Sequence, residues 1–213
     1  MYRCCYVLSN TDKQYLTQLA NCACVEGDRN ELITQIERNN NFCRGQLAIN
    51  YNYFIQCLKM YTVIYIQNES DNKILGACSI DLVDRIIVIY TICVPDDGIK
   101  GIGTLLLNNV KSIGELINAK CITLSANLSV YEFYIKNGFT IDGVDDSDVD
   151  GPISYSMTYN FKPTLEKTAK AATTAKGGKR KKTLQKTKKT TLQKTKRKYK
   201  KNILCKKMAQ NTG

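Results

Sequence analysis

Between Asp84 and Val94 the chain is almost continuously apolar: Ile86, Ile87, Val88, Ile89, Tyr90, Ile92, Cys93 and Val94 are interrupted only by Arg85 and Thr91. A run of this length and β-branched character reads as a strand covered on both faces. Turn-forming residues follow at Pro95–Lys100. Then come apolar residues at helical spacing (Ile102, Leu106, Val110, Ile113, Ile117) and a second apolar run, Lys120–Ala126. Strand, helix and strand within about 40 residues make a βαβ unit, whose strands should lie parallel with a right-handed crossover.

The flanking sequence extends this unit into a mixed sheet. Tyr2–Leu8 has strand character. Thr11-Asp12 reads as a helix start, with Leu16, Leu19, Ala20 and Ala23 at helical spacing, and a second helix follows Asp28 through Leu32, Ile33 and Ile36. Gln46–Lys59 is ambiguous. Met60–Gln67 and Lys73–Leu82 form a hairpin around the polar turn Asn68–Asn72. After the βαβ unit, a short helix at Ser129–Lys136 and strands at Gly138–Asp142 and Ile153–Asn160 complete a domain spanning 1–160. The expected class is α/β in the mixed α+β sense: a mostly antiparallel sheet with one parallel pair, flanked by helices.

Charge divides the chain. Residues 1–160 hold 12 Lys/Arg against 18 Asp/Glu, while residues 161–213 hold 19 Lys/Arg and Glu166 alone, out of a whole-chain net of +12. An acidic body thus carries a lysine-rich tail, expected to be disordered because it has almost nothing to bury. The tail repeats itself: Thr183–Lys188 recurs as Thr191–Lys196.

Ten cysteines are scattered through the chain, no segment resembles a signal peptide, and no apolar run approaches the ~20 residues of a membrane span. Free thiols in a reducing compartment are therefore expected: an intracellular protein, cytoplasmic or nuclear, with no membrane attachment. Cys4, Cys5, Cys22 and Cys24 are spaced poorly for structural zinc, and no metal site is assigned. The chain has no histidine. Ser-His-Asp and Cys-His nucleophile systems are thereby excluded, so a general base must be a carboxylate, a tyrosine, a lysine or water.

The chemistry concentrates where the buried strand ends. Val94-Pro95-Asp96-Asp97-Gly98-Ile99-Lys100-Gly101-Ile102-Gly103-Thr104 takes a strand through a glycine-rich turn into a helix. Helix starts offer unpaired N–H groups and a dipole that favours an anion, and glycines let a phosphate come close. No Lys-Ser/Thr follows the glycines, so this is not a P-loop, and the spacing does not fit a Rossmann turn.

A second segment, Asn127-Leu128-Ser129-Val130-Tyr131-Glu132-Phe133-Tyr134-Ile135-Lys136-Asn137-Gly138-Phe139, closely resembles the signature of the GNAT superfamily of N-acetyltransferases: an Asn, then a helix bearing Phe-Tyr, then Lys and Gly-Phe. The glycine turn resembles that family's pyrophosphate loop, Arg/Gln-x-x-Gly-x-Gly, in the same order and separation. The resemblance covers about Lys73–Asn160. It implies acetyl-CoA as co-substrate, with the backbone of Ile92, Cys93 and Val94 pairing with the pantetheine arm between two splayed parallel strands. The N–H groups of Ile99, Lys100, Gly101, Ile102, Gly103 and Thr104 would hold the pyrophosphate, and Asn127 would touch the cofactor arm. Tyr134 would protonate the departing thiolate. Two departures stand out. The family's Arg/Gln position falls on Gly98. Where some members place a glutamate on the buried strand, this chain has Val88 with Tyr90 next on that face, and Asp81 and Asp84 fall near strand ends. The base stays unassigned.

Five aspartates crowd Asp142–Gly151, where the family's acceptor enters. They would attract a cationic amine, a small molecule such as a polyamine or a lysine-rich protein, unless the loop is merely solvated. Asp146-x-Asp148-x-Asp150-Gly151 echoes a calcium loop but has Met157 at its twelfth position. In the tail, Lys179–Lys182 suits a nuclear localisation signal, and 176–201 suits non-specific nucleic-acid binding. Acetylation of the tail by its own domain and a purely solubilising role stand beside these. A degenerate domain that only displays the tail is the alternative to an enzyme. Richness in Asn, Ile and Lys fits an AT-rich genome, such as that of a large DNA virus or a protist.

Overall fold

Local chemistry sets most of the element boundaries. The structure, a computed structural model, describes residues 1–19, 21–39, 42, 50–96, 98–145 and 153–162. The first strand, β1, is Tyr2–Val7; a 3-10 turn at Lys13–Tyr15 leads into α1, Leu16–Leu19, and the two-residue β2 is Val25–Glu26. Helix α2, Arg29–Arg38, begins where the Asp28 carboxylate accepts the Glu31 N–H at 2.7 Å, and α3, Tyr51–Met60, begins where the Asn50 side chain accepts from Asn52 and Tyr53. Then come β3 (Thr62–Asn68), β4 (Ile74–Val83) and β5 (Ile86–Cys93). Asp84 and Arg85 join the last two in a two-residue turn, both at positive φ (52° and 66°), which matches the strand twist. Helix α4 (Ile102–Leu116), β6 (Cys121–Asn127), α5 (Tyr131–Lys136), β7 (Thr140–Asp145) and β8 (Ser154–Asn160) follow.

These strands form a single sheet in the order β2-β1-β3-β4-β5-β6-β8-β7. Every neighbouring pair is antiparallel except β5–β6 and β1–β2. The mixed, mostly antiparallel class is as expected, with a second parallel pair that no pattern announced, because two residues carry no periodicity. Helix α4 covers one face, setting Leu106, Leu107, Val110 and Ile113 against Ile64, Cys78, Ile80, Ile87, Ile122 and Leu124. Helices α2 and α3 cover the other, setting Leu32, Ile36, Phe54 and Leu58 against Val63, Tyr65 and Ala77. Each such side chain contributes about 1.5–3 kcal/mol on leaving water. Phe161, just past β8, still packs on the body: its ring occupies the space beside Gly114, and its N–H binds the Lys120 carbonyl.

Three expectations change. The helix from Thr11 to Ala23 shrinks to the 3-10 turn and α1, because Asp12 does not cap it. Its carboxylate, 1% exposed, instead accepts the Thr62 hydroxyl at 2.6 Å. The ambiguous stretch resolves partly into α3. Finally, the cysteines are not all free. Pairing of β1 with β2 in the register Cys5↔Val25 sets Cys4 beside Cys24, and the two form a disulfide with Cα atoms 4.5 Å apart. Cys93 is also disulfide-bonded, whereas Cys5, Cys22, Cys78 and Cys121 are free thiols. Joining Cys4 to Cys24 takes two sulfurs away from the zinc arrangement considered above.

Candidate active site

Strands β5 and β6 run side by side for only four pairs, from Ile86↔Cys121 to Ile89↔Leu124. Both then continue, each held by its other neighbour: β5 stays paired with β4 as far as Cys93↔Ala77, and β6 with β8 as far as Asn127↔Ser154. The space between them therefore opens. Tyr90–Cys93 on one side and Ser125–Asn127 on the other face it with backbone groups that no strand takes up. A bulge marks the opening. Ile89 pairs with Ile80 and Thr91 with Ser79, which leaves Tyr90 as the extra residue that bends the strand. This opening also corrects the reading of β5 as buried on both faces: its residues alternate half-buried and buried.

The wide end of the cleft leads to the glycine turn. Gly101 is the N-cap of α4 at φ 93°, a left-handed conformation that suits glycine, and among the described residues no side chain caps the helix. The helix start is thus left to another partner. The Ile102 N–H is already engaged by the Ile99 carbonyl at 3.4 Å, which removes one of the expected donors. Ile102 instead inserts its side chain into the core at 2% exposure. Ile99 and Lys100 are exposed, and Gly103 and Thr104 half-buried. Gly98, the departure from the family pattern, has a steric cause: a Cβ there would lie 2.6 Å from the Pro95 carbonyl oxygen, which accepts the Gly98 N–H. Of the three strand residues, Ile92 and Val94 are half-buried against the α4 core, while Cys93 is fully buried on the opposite face.

After β6, α5 sets Tyr134 against the α4 core, its ring edge-on to Phe133 (5.1 Å) and Phe139 (5.7 Å). Burial, reinforced by the nearby Cys78 thiol, pushes the phenol well above its ordinary range, so it stays protonated. Its hydroxyl makes no hydrogen bond among the described residues. Asn127 ends β6; its side-chain oxygen accepts from the Ser129 N–H (3.0 Å) and hydroxyl (3.2 Å), which closes the turn into α5. Beside it a surface pocket of about 390 Å³ is lined by Asn127, Leu128, Ser129 and Ile153.

Sequence reasoning named Tyr90 and Asp81 but missed Tyr61, which completes a group on the far side of the cleft. Tyr61, the C-cap of α3, stacks on Tyr90 with ring centroids 4.1 Å apart, and Asp81 faces them from β4 opposite Val88. Tyr90 stood beside Val88 in the pattern, but Tyr61 followed a stretch without a clear period. Asp84, the other candidate carboxylate, sits in the β4–β5 turn, exposed. Most of the acidic loop (146–152), the calcium-like stretch and the tail from residue 163 lie outside the described residues. Asp142 lies within them and accepts the Thr158 hydroxyl.

The arrangement matches known structures at the level of fold. A GNAT-family protein from Desulfovibrio desulfuricans superposes with a TM-score of 0.51 at 12% identity, over 61% of this chain and 92% of the other. Ard1 from Thermoplasma volcanium does so at 0.50 with 17% identity, over 60% and 92%. The fold is that of the GNAT acetyltransferases. Nourseothricin acetyltransferase is also similar (TM-score 0.42, 17% identity, 46% of this chain), and the chain spans 64% of its length. The sequence itself matches no protein-family model and no curated relative.

Proposed function

We propose that this protein is an acetyl-CoA-dependent N-acetyltransferase acting on a cationic primary amine, a polyamine or a lysine-rich peptide. The observation that carries this reading is the cleft itself: two adjacent parallel strands part in mid-sheet, between a helix start and a half-buried phenol that are both without a hydrogen-bonding side-chain partner among the described residues. An extended pantetheine arm supplies the missing strand along Ile92–Val94. The Ile99, Lys100, Gly101, Gly103 and Thr104 N–H groups and the Lys100 charge suit a pyrophosphate, and the free amide nitrogen of Asn127 meets the arm. Bound acetyl-CoA supplies the activated acyl group. The neutral Tyr134 hydroxyl then gives the departing thiolate its proton. The fold supports this reading, and the acidic balance of residues 1–160 supports a cationic acceptor.

We place the protein inside the cell, where acetyl-CoA is made; the Cys4–Cys24 disulfide is the feature that argues the other way. Among the described residues no helix is long and apolar enough to cross a membrane. For the tail, residues 176–201 suit a nucleic-acid backbone or the domain's own active site.

The test is intact-mass spectrometry of the full chain with acetyl-CoA, alone and with spermidine or a lysine-rich peptide, with thiol release followed in parallel. Acetyl gain on any amine, lost in Tyr134→Phe, is the expected result. No gain together with no acetyl-CoA binding by calorimetry would overturn the assignment in favour of a degenerate domain.

A further inference from the structure

The chemistry above accounts for the proton that the thiolate receives, and leaves open where the amine's proton goes. An ordinary alkylamine is an ammonium at neutral pH and cannot attack a carbonyl until it loses one. With no histidine in the chain, the path must be built from other groups.

The stacked tyrosines stand where that path is needed. Tyr90 is the bulged residue immediately beyond the last β5–β6 pair, Ile89↔Leu124, so it sits at the apex of the cleft. Its ring lies against Tyr61 at 4.1 Å with only 16° between planes. The Tyr61 hydroxyl, the Asp81 carboxylate of β4 and the Tyr53 phenol of α3 all bear on the Tyr90 hydroxyl. Tyr134 packs with the α4 core on one face of the sheet, while the Tyr61–Tyr90 stack hangs from the C-terminus of α3 on the other. A phenol thus stands on each face of the sheet. One can serve the leaving group, the other the nucleophile.

We infer that Tyr90 receives the acceptor nitrogen and that Tyr61 and Asp81, standing behind it, carry its proton away. This rests on the proposed acetyl transfer. The ammonium donates to the Tyr90 oxygen as Tyr90 passes its own proton to Tyr61 and Tyr61 passes its own to the Asp81 carboxylate, from which solvent takes it. The freed lone pair forms the C–N bond. As the C–S bond breaks, Tyr134 gives its proton to the thiolate, and the second proton lost by the nitrogen restores the Tyr134 phenol. The products are amide, thiol and one proton, with no oxidant or reductant. Burial beside Tyr61 and Asp81 holds the Tyr90 phenol far above its ordinary range. It therefore works by exchanging protons and never as a standing phenolate. Tyr90 is the catalytic group here; Tyr61 and Asp81 are positioning residues.

The test uses the full chain with acetyl-CoA and spermidine. Tyr90→Phe keeps the ring stack and removes one oxygen, and Asp81→Asn keeps the shape and removes the charge. Acetyl-CoA affinity by calorimetry should stay within about twofold in both, which separates a catalytic role from misfolding. In Tyr90→Phe kcat should fall about 10²-fold, and in Asp81→Asn and Tyr61→Phe about tenfold. The decisive readout is the kcat–pH profile. Without the relay the amine must ionise unaided, so the acid limb should move up by a unit or more toward the free amine's pKa, about 10. A Tyr90→Phe enzyme with the wild-type rate and the wild-type limb would overturn the inference. So would a fall in rate matched by lost acetyl-CoA binding. Should the wild type transfer no acetyl group, the proposed activity fails by itself. The amine site is then judged by titrating spermidine into the CoA-loaded chain: heat lost in Tyr90→Phe and Asp81→Asn supports it, and equal or absent heat in all three refutes it.

Discussion

The two edges of β6 make an instructive pair. Toward β8 all seven residues, Cys121–Asn127, are matched in register; toward β5 only Cys121–Leu124 are. One strand therefore serves as ordinary scaffold on one side and as half of a cleft on the other. Since backbone groups inside a sheet cost free energy when unpaired, the open edge marks where the molecule expects a partner. The closed edge should govern stability, and the open edge should govern turnover.

The sharpest way to break this comparison is to change each edge by one side chain. Tyr134→Phe at the open edge removes a single hydroxyl that makes no hydrogen bond among the described residues. Turnover should fall about 10²–10⁴-fold with the melting temperature unmoved. Met157→Ala at the closed edge, where Met157 pairs with Leu124 and is 0% exposed, should cost about 2–5 kcal/mol. That is about 2–4 °C of melting temperature per kcal/mol, with the acetyl-CoA affinity of the surviving folded fraction unchanged. Thermal melts and steady-state kinetics on both variants decide it. If each variant moved both quantities together, the division of labour would be wrong.

How far the cleft was readable follows the same division. The βαβ unit and the glycine turn were visible because they are local: a continuous apolar run, turn residues, then a helical period. Tyr134 was visible because Asn127 and Gly138-Phe139 flank it at a recognisable spacing. The Tyr61–Tyr90 stack was not, because it joins the C-cap of α3 to a bulge, and a bulge is one residue displaced from a regular alternation. The Cys4–Cys24 bond was hidden for a related reason. It depends on β2, two residues long, adding to the sheet edge in parallel.

That bond offers a smaller test on the part of the sheet farthest from the cleft. The disulfide closes a loop across a sequence separation of 20 and ties the α1 segment, with buried Leu19, to β1. A closure of this length stabilises by about 3 kcal/mol through the unfolded chain. Cys4→Ser with Cys24→Ser, or reduction by a thiol, should lower the melting temperature by several degrees and leave turnover at permissive temperature within about twofold. A large kinetic effect would mean that the edge communicates with the cleft through α4, against which Cys24 rests near Asn109.

The smallest effect sharpens the open edge most. Family likeness would suggest that Gly98→Arg restores a missing phosphate contact and tightens acetyl-CoA. The geometry says otherwise. A Cβ at residue 98 meets the Pro95 carbonyl oxygen at 2.6 Å, and that oxygen is backbone held by the Gly98 N–H itself. To admit any side chain the turn must open, which shifts Gly101 from the conformation that presents the α4 N-terminus. Gly98→Ala should therefore weaken acetyl-CoA binding by about fivefold, roughly the 1 kcal/mol of a strained turn. Gly98→Arg should recover only part of that through its charge. Calorimetry on the two variants settles the point: Arg tighter than wild type would show that the turn has slack and that the glycine reflects a lost contact. Arg weaker than wild type but tighter than Ala would show that the turn's shape came first, with Lys100 as its charge.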